Sequence, residues 1–410
     1  MMMKKNTLIR FLLFFFLFFF VGITSFFGQI KQIEKIEPKK TFKLSNNAQI
    51  SIITSGPGEA LYEKFGHTAI RVKDPILQFD LIYNYGIFDF ENPTFYADFT
   101  KGYMKYKLAK YPFYLALKNA QHDKRWVKEQ ILNLSQSQKN DFFTILEINI
   151  LPENAGYLYD PYFDNCATKP RDIIKKVLGK NLIFKDDFVT QKVSLRQLMN
   201  KEIHQNTWGS VGINIALGSR LDKITTPSEY LYLPDYVFEA LEVSKILKDG
   251  KQENISSKTT ILLNFDEKES KEDKISPFLI FLIIAILGLI ITYKDYKNAT
   301  RSKWLDFIIF FISGITGVLI VYLWFFTNHS TAPNNFNFLW AFAPNLIISF
   351  FLIQEKLPKW LSKYMLLLLA FLVILAIIWI TKTQLFALPL LPLFILLAVR
   401  YWFLQKTLNR

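Results

Sequence analysis

Cysteine is nearly absent from this chain: among 410 residues there is one, Cys166, and only four histidines, His67, His122, His204 and His329. A lone thiol has no partner for a structural disulfide, and one cysteine with four scattered histidines shows no metal-ligand spacing, so neither a metal nor another cofactor is expected. Glycine is sparse too, with 16 residues, and Gly56-Pro57-Gly58 is too short for a phosphate-binding loop, which leaves it as a turn. The sequence contains no internal repeat.

Apolar sequence is abundant. Lys4, Lys5 and Arg10 precede an apolar stretch from Phe11 to Phe27, the order of a signal peptide or N-terminal membrane anchor over residues 1–29. No cysteine follows that stretch, which argues against the chain being itself a lipoprotein. Residues 30–272 have mixed charge and no run long enough to cross a bilayer, whereas residues 273–410 carry five apolar spans of about the length a hydrocarbon core demands. These are Pro277–Tyr293, Leu305–Phe326, Phe338–Ile353, Tyr364–Ile380 and Phe386–Leu404, and Pro389 and Pro392 predict a kink or a partly re-entrant path in the last.

Charge orients the spans. Lys294, Lys297, Arg301 and Lys303 follow the first span, Lys356, Lys359 and Lys363 follow the third, and Arg400, Lys406 and Arg410 close the chain; all are expected to face the cytoplasm. The loops Thr327–Asn337 and Thr381–Gln384 carry a single lysine and face outward with the domain before the first span. Many of the cations behind the formal net charge of +14 are accounted for in this way, so it is weak evidence for nucleic acid, which is not expected as a partner, and an acidic lipid headgroup remains one that fits.

In the outward domain, strands are expected at Gln49–Thr54, His67–Lys73, Leu77–Tyr85 and Tyr103–Tyr111, with one more at Thr259–Phe265. Helices are expected at Gln136–Ile148, with Ser135 as N-cap and Gln138 completing a capping box, and at Ala167–Leu178, Leu195–Glu202 and Asp235–Leu247. Strands first and helices after predict an α+β domain, with Lys248–Ser257 as a surface loop and Asp266–Lys274 as a membrane-proximal linker.

Cys166 stands in Tyr162-Phe163-Asp164-Asn165-Cys166-Ala167-Thr168, where an extended stretch gives way to a helix. Backbone N–H groups and the helix dipole favour a thiolate there, although a small buried residue is the plainer reading of an unpaired cysteine. A thiol nucleophile needs a base. His67 opens a strand beside Gly66 in Phe65-Gly66-His67-Thr68, where its ring can enter a cleft; His122 reads as a solvated loop residue, and His204 as a partner for helix-end carbonyls. His329 lies in the outward membrane loop, placed to meet a lipid headgroup or the outward domain. Asp80 is the candidate for the group that orients His67, Asn84 is the alternative, and Asn84, Asn165 and His329 are candidate substrate contacts. The aromatics Tyr103, Tyr106, Tyr111, Phe113 and Tyr114 are candidates for an acyl groove or interfacial contact, or for core packing.

The order of these residues, histidine on an early strand, a polar residue about a dozen positions on and cysteine opening a later helix, resembles the circularly permuted papain-like arrangement of the NlpC and lecithin:retinol acyltransferase superfamily. More narrowly, Phe65-Gly66-His67-Thr68-Ala69-Ile70-Arg71-Val72, Tyr83-Asn84-Tyr85-Gly86, Phe95-Tyr96 and Asp164-Asn165-Cys166-Ala167-Thr168 resemble the Lnb-type periplasmic domain of lipoprotein N-acyltransferases, over roughly residues 45–245. The resemblance implies an inner-membrane, multi-pass enzyme whose catalytic domain faces the periplasm. It implies that an ester-linked acyl chain passes through Cys166 to the α-amine of a lipoprotein's N-terminal cysteine, with His67 as base. Diacylglyceryl lipoproteins, a phospholipid acyl donor and the membrane would be the partners. Two other classes remain open: an NlpC-like cysteine peptidase or amidase acting on cell-wall peptides, and a non-enzymatic envelope assembly factor.

Overall fold

The computed structural model describes residues 42–408, and the predicted signal peptide or anchor lies outside them. The strands are β1 Gln49–Ser55, β2 His67–Asp74, β3 Phe79–Ile87, β4 Lys105–Pro112, β5 Val127–Leu132, β6 Gly156–Leu158, β7 Leu182–Ile183, β8 Lys245–Lys248, β9 Lys251–Asn254 and β10 Ser256–Leu263. Seven of them form one antiparallel sheet in the order β10-β5-β1-β2-β3-β4-β6, and β7, β8 and β9 form a small second sheet. Single helical turns aside, the outward domain adds α1 Phe95–Thr100, α2 Phe113–His122, α3 Gln136–Asn149, α4 Thr168–Leu178, α5 Leu195–Glu202, α6 Trp208–Ala216 and α7 Pro234–Val243. This is the expected α+β architecture.

Alternation in the strands builds two cores. Ile50, Ile52, Ile70, Val72 and Tyr83 bury one sheet face against Phe142 and Leu146 of α3, Ile173 and Ile174 of α4, and Leu198 of α5. Ile53, Ala69, Ile82 and Val127 on the other face meet Phe113 of α2 in a smaller cluster. Ser135 accepts from Gln138 N while Gln138 Oε1 accepts from Ser135 N at 2.9 Å, the anticipated capping box on α3, which contributes about 1 kcal/mol.

Some expectations need correction. The helix expected at Asp235–Leu247 ends at Val243, and its last residues form β8, which pairs with β9 inside the stretch read as a loop. The linker Asp266–Lys274 is pinned to the domain: Ser270 accepts from His204 N, Asp273 from Trp208 N, and Glu272 from Asn206 Nδ2. His204 caps no carbonyl; its Nδ1 accepts from Asn206 N. Three helices went unanticipated, α1, α2 and α6.

Beyond Ser276 the chain forms α8 Pro277–Asn298, α9 Lys303–Phe325, α10 Asn345–Leu352, α11 Trp360–Ile380 and α12 Leu391–Leu408. Among the described residues four helices are long and apolar enough to cross a membrane, α8, α9, α11 and the segment Leu388–Leu408 that contains α12. The third expected span differs. Phe336–Leu339 is a 3-10 turn, the chain breaks at Pro344, and only α10, eight residues, follows. It nevertheless runs from Asn335, whose Nδ2 donates to Ile215 O of α6, to Gln354, whose carbonyl accepts from Arg301. The glycines of α9 admit this irregular backbone, since a Cβ on Gly314 would stand 2.1 Å from Leu346 N. Asn345 at the break donates to Ser313 and accepts from Tyr364. The two prolines of the last span sit in and just after the 3-10 turn that opens it, where a missing N–H is tolerated, so they neither kink it nor turn it back.

Arg400, read as a closing cytoplasmic cation, is fully buried. It bonds Asp306 at 2.6 Å and Asp295 at 2.7 Å, and Arg301 bonds the second oxygen of Asp306 at 3.1 Å. Two cations and two anions thus neutralise one another where α8, α9 and α12 meet.

Candidate active site

Gly66, at φ +70, turns the chain into β2 so that His67 is its first residue. The helical hydrogen bonding of α4 begins at Asn165, whose carbonyl accepts from Lys169 N at 3.1 Å, so Cys166 occupies the first helical turn. Imidazole and thiol are hydrogen-bonded, and the backbone N–H groups of Thr68 and of Cys166 itself also point at the sulfur.

These contacts set the charges. Burial pushes the His67 pKa down, but the Cys166 charge, the bond to it and the bond to Asn84 outweigh that and hold it above 6.5. Burial pushes Cys166 up, and the His67 charge, the His67 hydrogen bond and the two backbone N–H groups bring it below 9.0. Each group is shifted toward its ionised form, and the two titrate as a unit.

Asn84, and not Asp80, meets the histidine. Asn84 Oδ1 lies 2.6 Å from His67 Nε2, and its Nδ2 donates to the Tyr111 hydroxyl at 2.9 Å. An amide oxygen only accepts, so Nε2 carries a proton and Nδ1 is left for the sulfur. Asp80 pairs with Lys73, six residues along β2 from His67, a separation of about 20 Å. Its carboxylate grips Arg71 at 2.6 Å, and Arg71 also holds Glu129 at 3.0 Å. That ion cluster ties the sheet together and leaves Asp80 no part in the site.

Asn165 is not free to touch a substrate. Its Nδ2 donates to Pro161 O and Tyr232 O, and its Oδ1 accepts from Ala167 N and Thr168 N. Both donors and both acceptor positions are used, and the residue serves as the cap that holds Cys166 in place. His329 lies away from the sulfur: it bonds the carbonyls of Phe99 and Thr100 and sets its ring 6.2 Å from Phe99, joining the outward membrane loop to α1. Next to it Ser330 Oγ donates to Asp160, the residue whose carboxylate also caps Tyr162 N and Phe163 N in the turn before Cys166. His122 is exposed beside Asp123, as expected, but it closes α2 and does not lie in a loop.

Three residues were not anticipated here. Gly86, at φ +94, has a backbone conformation that strains any other residue, and a Cβ there would touch Tyr159 at 3.4 Å and the Cys166 Cβ at 3.8 Å. Tyr111, a candidate for the acyl groove, instead fixes the Asn84 amide. Arg125 brings positive charge near the pair, with Nε on Gly56 O at 2.7 Å; it follows Gln121-His122-Asp123-Lys124, the stretch read as a solvated loop. Of the other aromatics, Tyr106 joins a ring cluster near the thiol, Phe113 is core, and Tyr114 is exposed on α2.

The geometry offers a nucleophile, a base with an orienting amide, and backbone donors at the reacting atom. Among the described residues no group of side chains is arranged to hold a metal. Residues 37–201 match the model of the Lnb N-terminal periplasmic domain, and residues 268–409 match that of the Lnb transmembrane domain. No curated protein and no solved structure matches the chain.

Proposed function

Since the chain belongs to the Lnb family, as a multi-pass inner-membrane protein with a periplasmic domain, we propose that it is a cysteine-dependent lipoprotein N-acyltransferase working through Cys166, His67 and Asn84. The observation that carries this reading is the Cys166–His67 pair, with the thiol lowered and the imidazole raised in a helix-capped site of an Lnb periplasmic domain. The order of histidine, asparagine and cysteine along the chain supports a permuted papain-like kinship with NlpC and lecithin:retinol acyltransferase enzymes.

The Cys166 thiolate attacks the carbonyl carbon of a glycerol ester; a C–S bond forms and the carbonyl oxygen takes up the negative charge. The Thr68 and Cys166 N–H groups, which act on the sulfur at rest, are the donors we assign to that oxyanion. The ester C–O bond then breaks, and His67 Nδ1 gives its proton to the departing glycerol oxygen. The α-amine of a lipoprotein's N-terminal cysteine next attacks the thioester. Its proton goes to His67, the C–S bond breaks, and Cys166 leaves as thiolate. Asn84 keeps Nε2 protonated and the ring in place through both halves. An amide is more stable than a thioester, so no nucleotide is consumed. The acyl donor is the lipoprotein's own ester, leaving a lyso form, or a phospholipid, giving a triacylated product.

The test is to incubate the purified full-length protein with a long-chain glycerol ester and no amine. Intact-mass analysis is expected to find one acyl chain on Cys166, removable by hydroxylamine and transferred when a cysteine-terminated lipopeptide is added. An adduct elsewhere, or none while transfer proceeds, would overturn the thioacyl route.

A further inference from the structure

A run of aromatic rings leads away from Cys166. Tyr159, beside Gly86 and the thiol, stacks on Tyr106 at 4.4 Å between centroids. Tyr106 meets Phe88 at 4.9 Å, Phe88 meets Phe95 at 5.9 Å, Phe95 meets Phe99 at 6.2 Å, and Phe99 meets His329 of the outward membrane loop. The outer rings are open to solvent: Phe99 is 46% exposed, and Tyr62, which touches Phe88, is 59% exposed. Contiguous exposed rings of this kind are costly in water and mark a surface awaiting an apolar occupant.

Membrane-linked elements bound this surface on two sides. On one, a Cβ on Gly102, just after α1, would stand 2.6 Å from His329 N, and Asn328 N donates to Lys101 O. On the other, Leu61 packs on Gly209 of α6; Trp208 of α6 donates to Ile275 O and packs on Phe281 of α8, and Val211 of α6 belongs to the core of the membrane bundle. The rings therefore start at the nucleophile and end where the domain meets the bilayer. A linear apolar group is the occupant that fits such a course, because it buries successive ring faces while its one polar end reaches the sulfur.

We infer that the path Tyr159–Tyr106–Phe88–Phe95–Phe99 is the binding site for the fatty-acyl chain of the glycerol ester, which enters from the membrane surface and presents its carbonyl to Cys166. This rests on the acyl-transfer reading. The path selects chains by length, because each further methylene held on the rings strengthens binding about fourfold.

The experiment measures kcat/KM for long-chain and short-chain esters with full-length protein in micelles, offering the donor in parallel as a phospholipid and as a diacylglyceryl-cysteine peptide. Wild type is expected to prefer long chains. Phe88→Asp is expected to cut the long-to-short ratio at least tenfold, and Phe95→Trp, which stays apolar and folded while narrowing the path, to move the preference to shorter chains. Ile261→Asp, an exposed apolar residue on β10 outside the path, is expected to leave the ratio unchanged. The donor whose ratio collapses in the variants identifies the chain that is held. Unchanged chain-length preference in Phe95→Trp would overturn the inference, as would an equal fall for Ile261→Asp, the sign of a bilayer contact. Failure of the acyl-transfer reading is distinct: wild type would then transfer no chain of either length.

Discussion

Replacing Asn84 with alanine removes the 2.6 Å contact to His67 Nε2 and leaves the Tyr111 hydroxyl without its amide partner. A hydrogen bond to a charged group contributes about 1.5–3 kcal/mol, so kcat/KM is expected to fall about ten- to hundredfold. The pH profile also changes. The lowered thiol and the raised imidazole favour the active ion pair, so activity is expected to follow a bell whose two limbs belong to the coupled pair. Without Asn84 the His67 pKa moves down, and a less cationic ring supports the thiolate less, so the Cys166 pKa moves up; the bell narrows from both sides. Asp80→Ala is the matched control, because it loses only the Arg71 pair and Arg71 keeps Glu129. It is expected to cost about 1 kcal/mol of stability or less, with the pH profile intact. Initial rates of amine acylation by both variants from pH 5 to 10 decide the matter. An Asn84→Ala enzyme with wild-type rate and bell, beside an Asp80→Ala enzyme slowed tenfold, would refute the assignment.

Three further outcomes follow from the same geometry. Alkylation of Cys166 by iodoacetamide is expected to have its pH midpoint below 9.0 in wild type and a higher one in His67→Ala, where burial acts unopposed; coincident midpoints would contradict the ion pair. Gly86→Ala forces a Cβ into a left-handed position against Tyr159 and Cys166 and is expected to cost about 1–2 kcal/mol, read as a lower melting temperature with reduced turnover; unchanged values for both would count against this packing. Asp222→Ala leaves Arg196, fully buried, without its 2.9 Å partner and Leu385 N without its acceptor. The expected loss is about 3–5 kcal/mol in detergent unfolding, and a loss under about 1 kcal/mol would show that this pair does not hold the domain to the membrane bundle.

The meeting of His67 and Cys166 was anticipated because each carries a local signal, a glycine before a strand and the start of a helix. The orienting residue was not. Asp80 and Asn84 share a parity on β3, so alternation cannot separate them; register does, and it is fixed by the turn from Asp74 to Phe79, where Asp74 accepts from Ile76 N and Leu77 N. Asn165 was assigned to substrate, although one amide cannot serve four backbone partners and a ligand. α2 was hidden because the strand pattern of β4 runs through Tyr111-Pro112 directly into aromatic residues. α6 contains two glycines and is a poor helix by propensity; it forms because Val211 is buried in the membrane bundle and Ile215 packs against it, a contact that local sequence does not announce. The broken third span likewise depends on Gly314 and Gly317, one helix away.

The measurement that bears most directly on N-acyl transfer is mass spectrometry of a reporter lipoprotein's N-terminal peptide from cells whose only copy of this protein is wild type, Cys166→Ala or His67→Ala. The account predicts an acylated amine with wild type and a free amine with both variants, and the peptide mass tells a lyso product from a triacylated one. An amine acylated regardless of either substitution would contradict it.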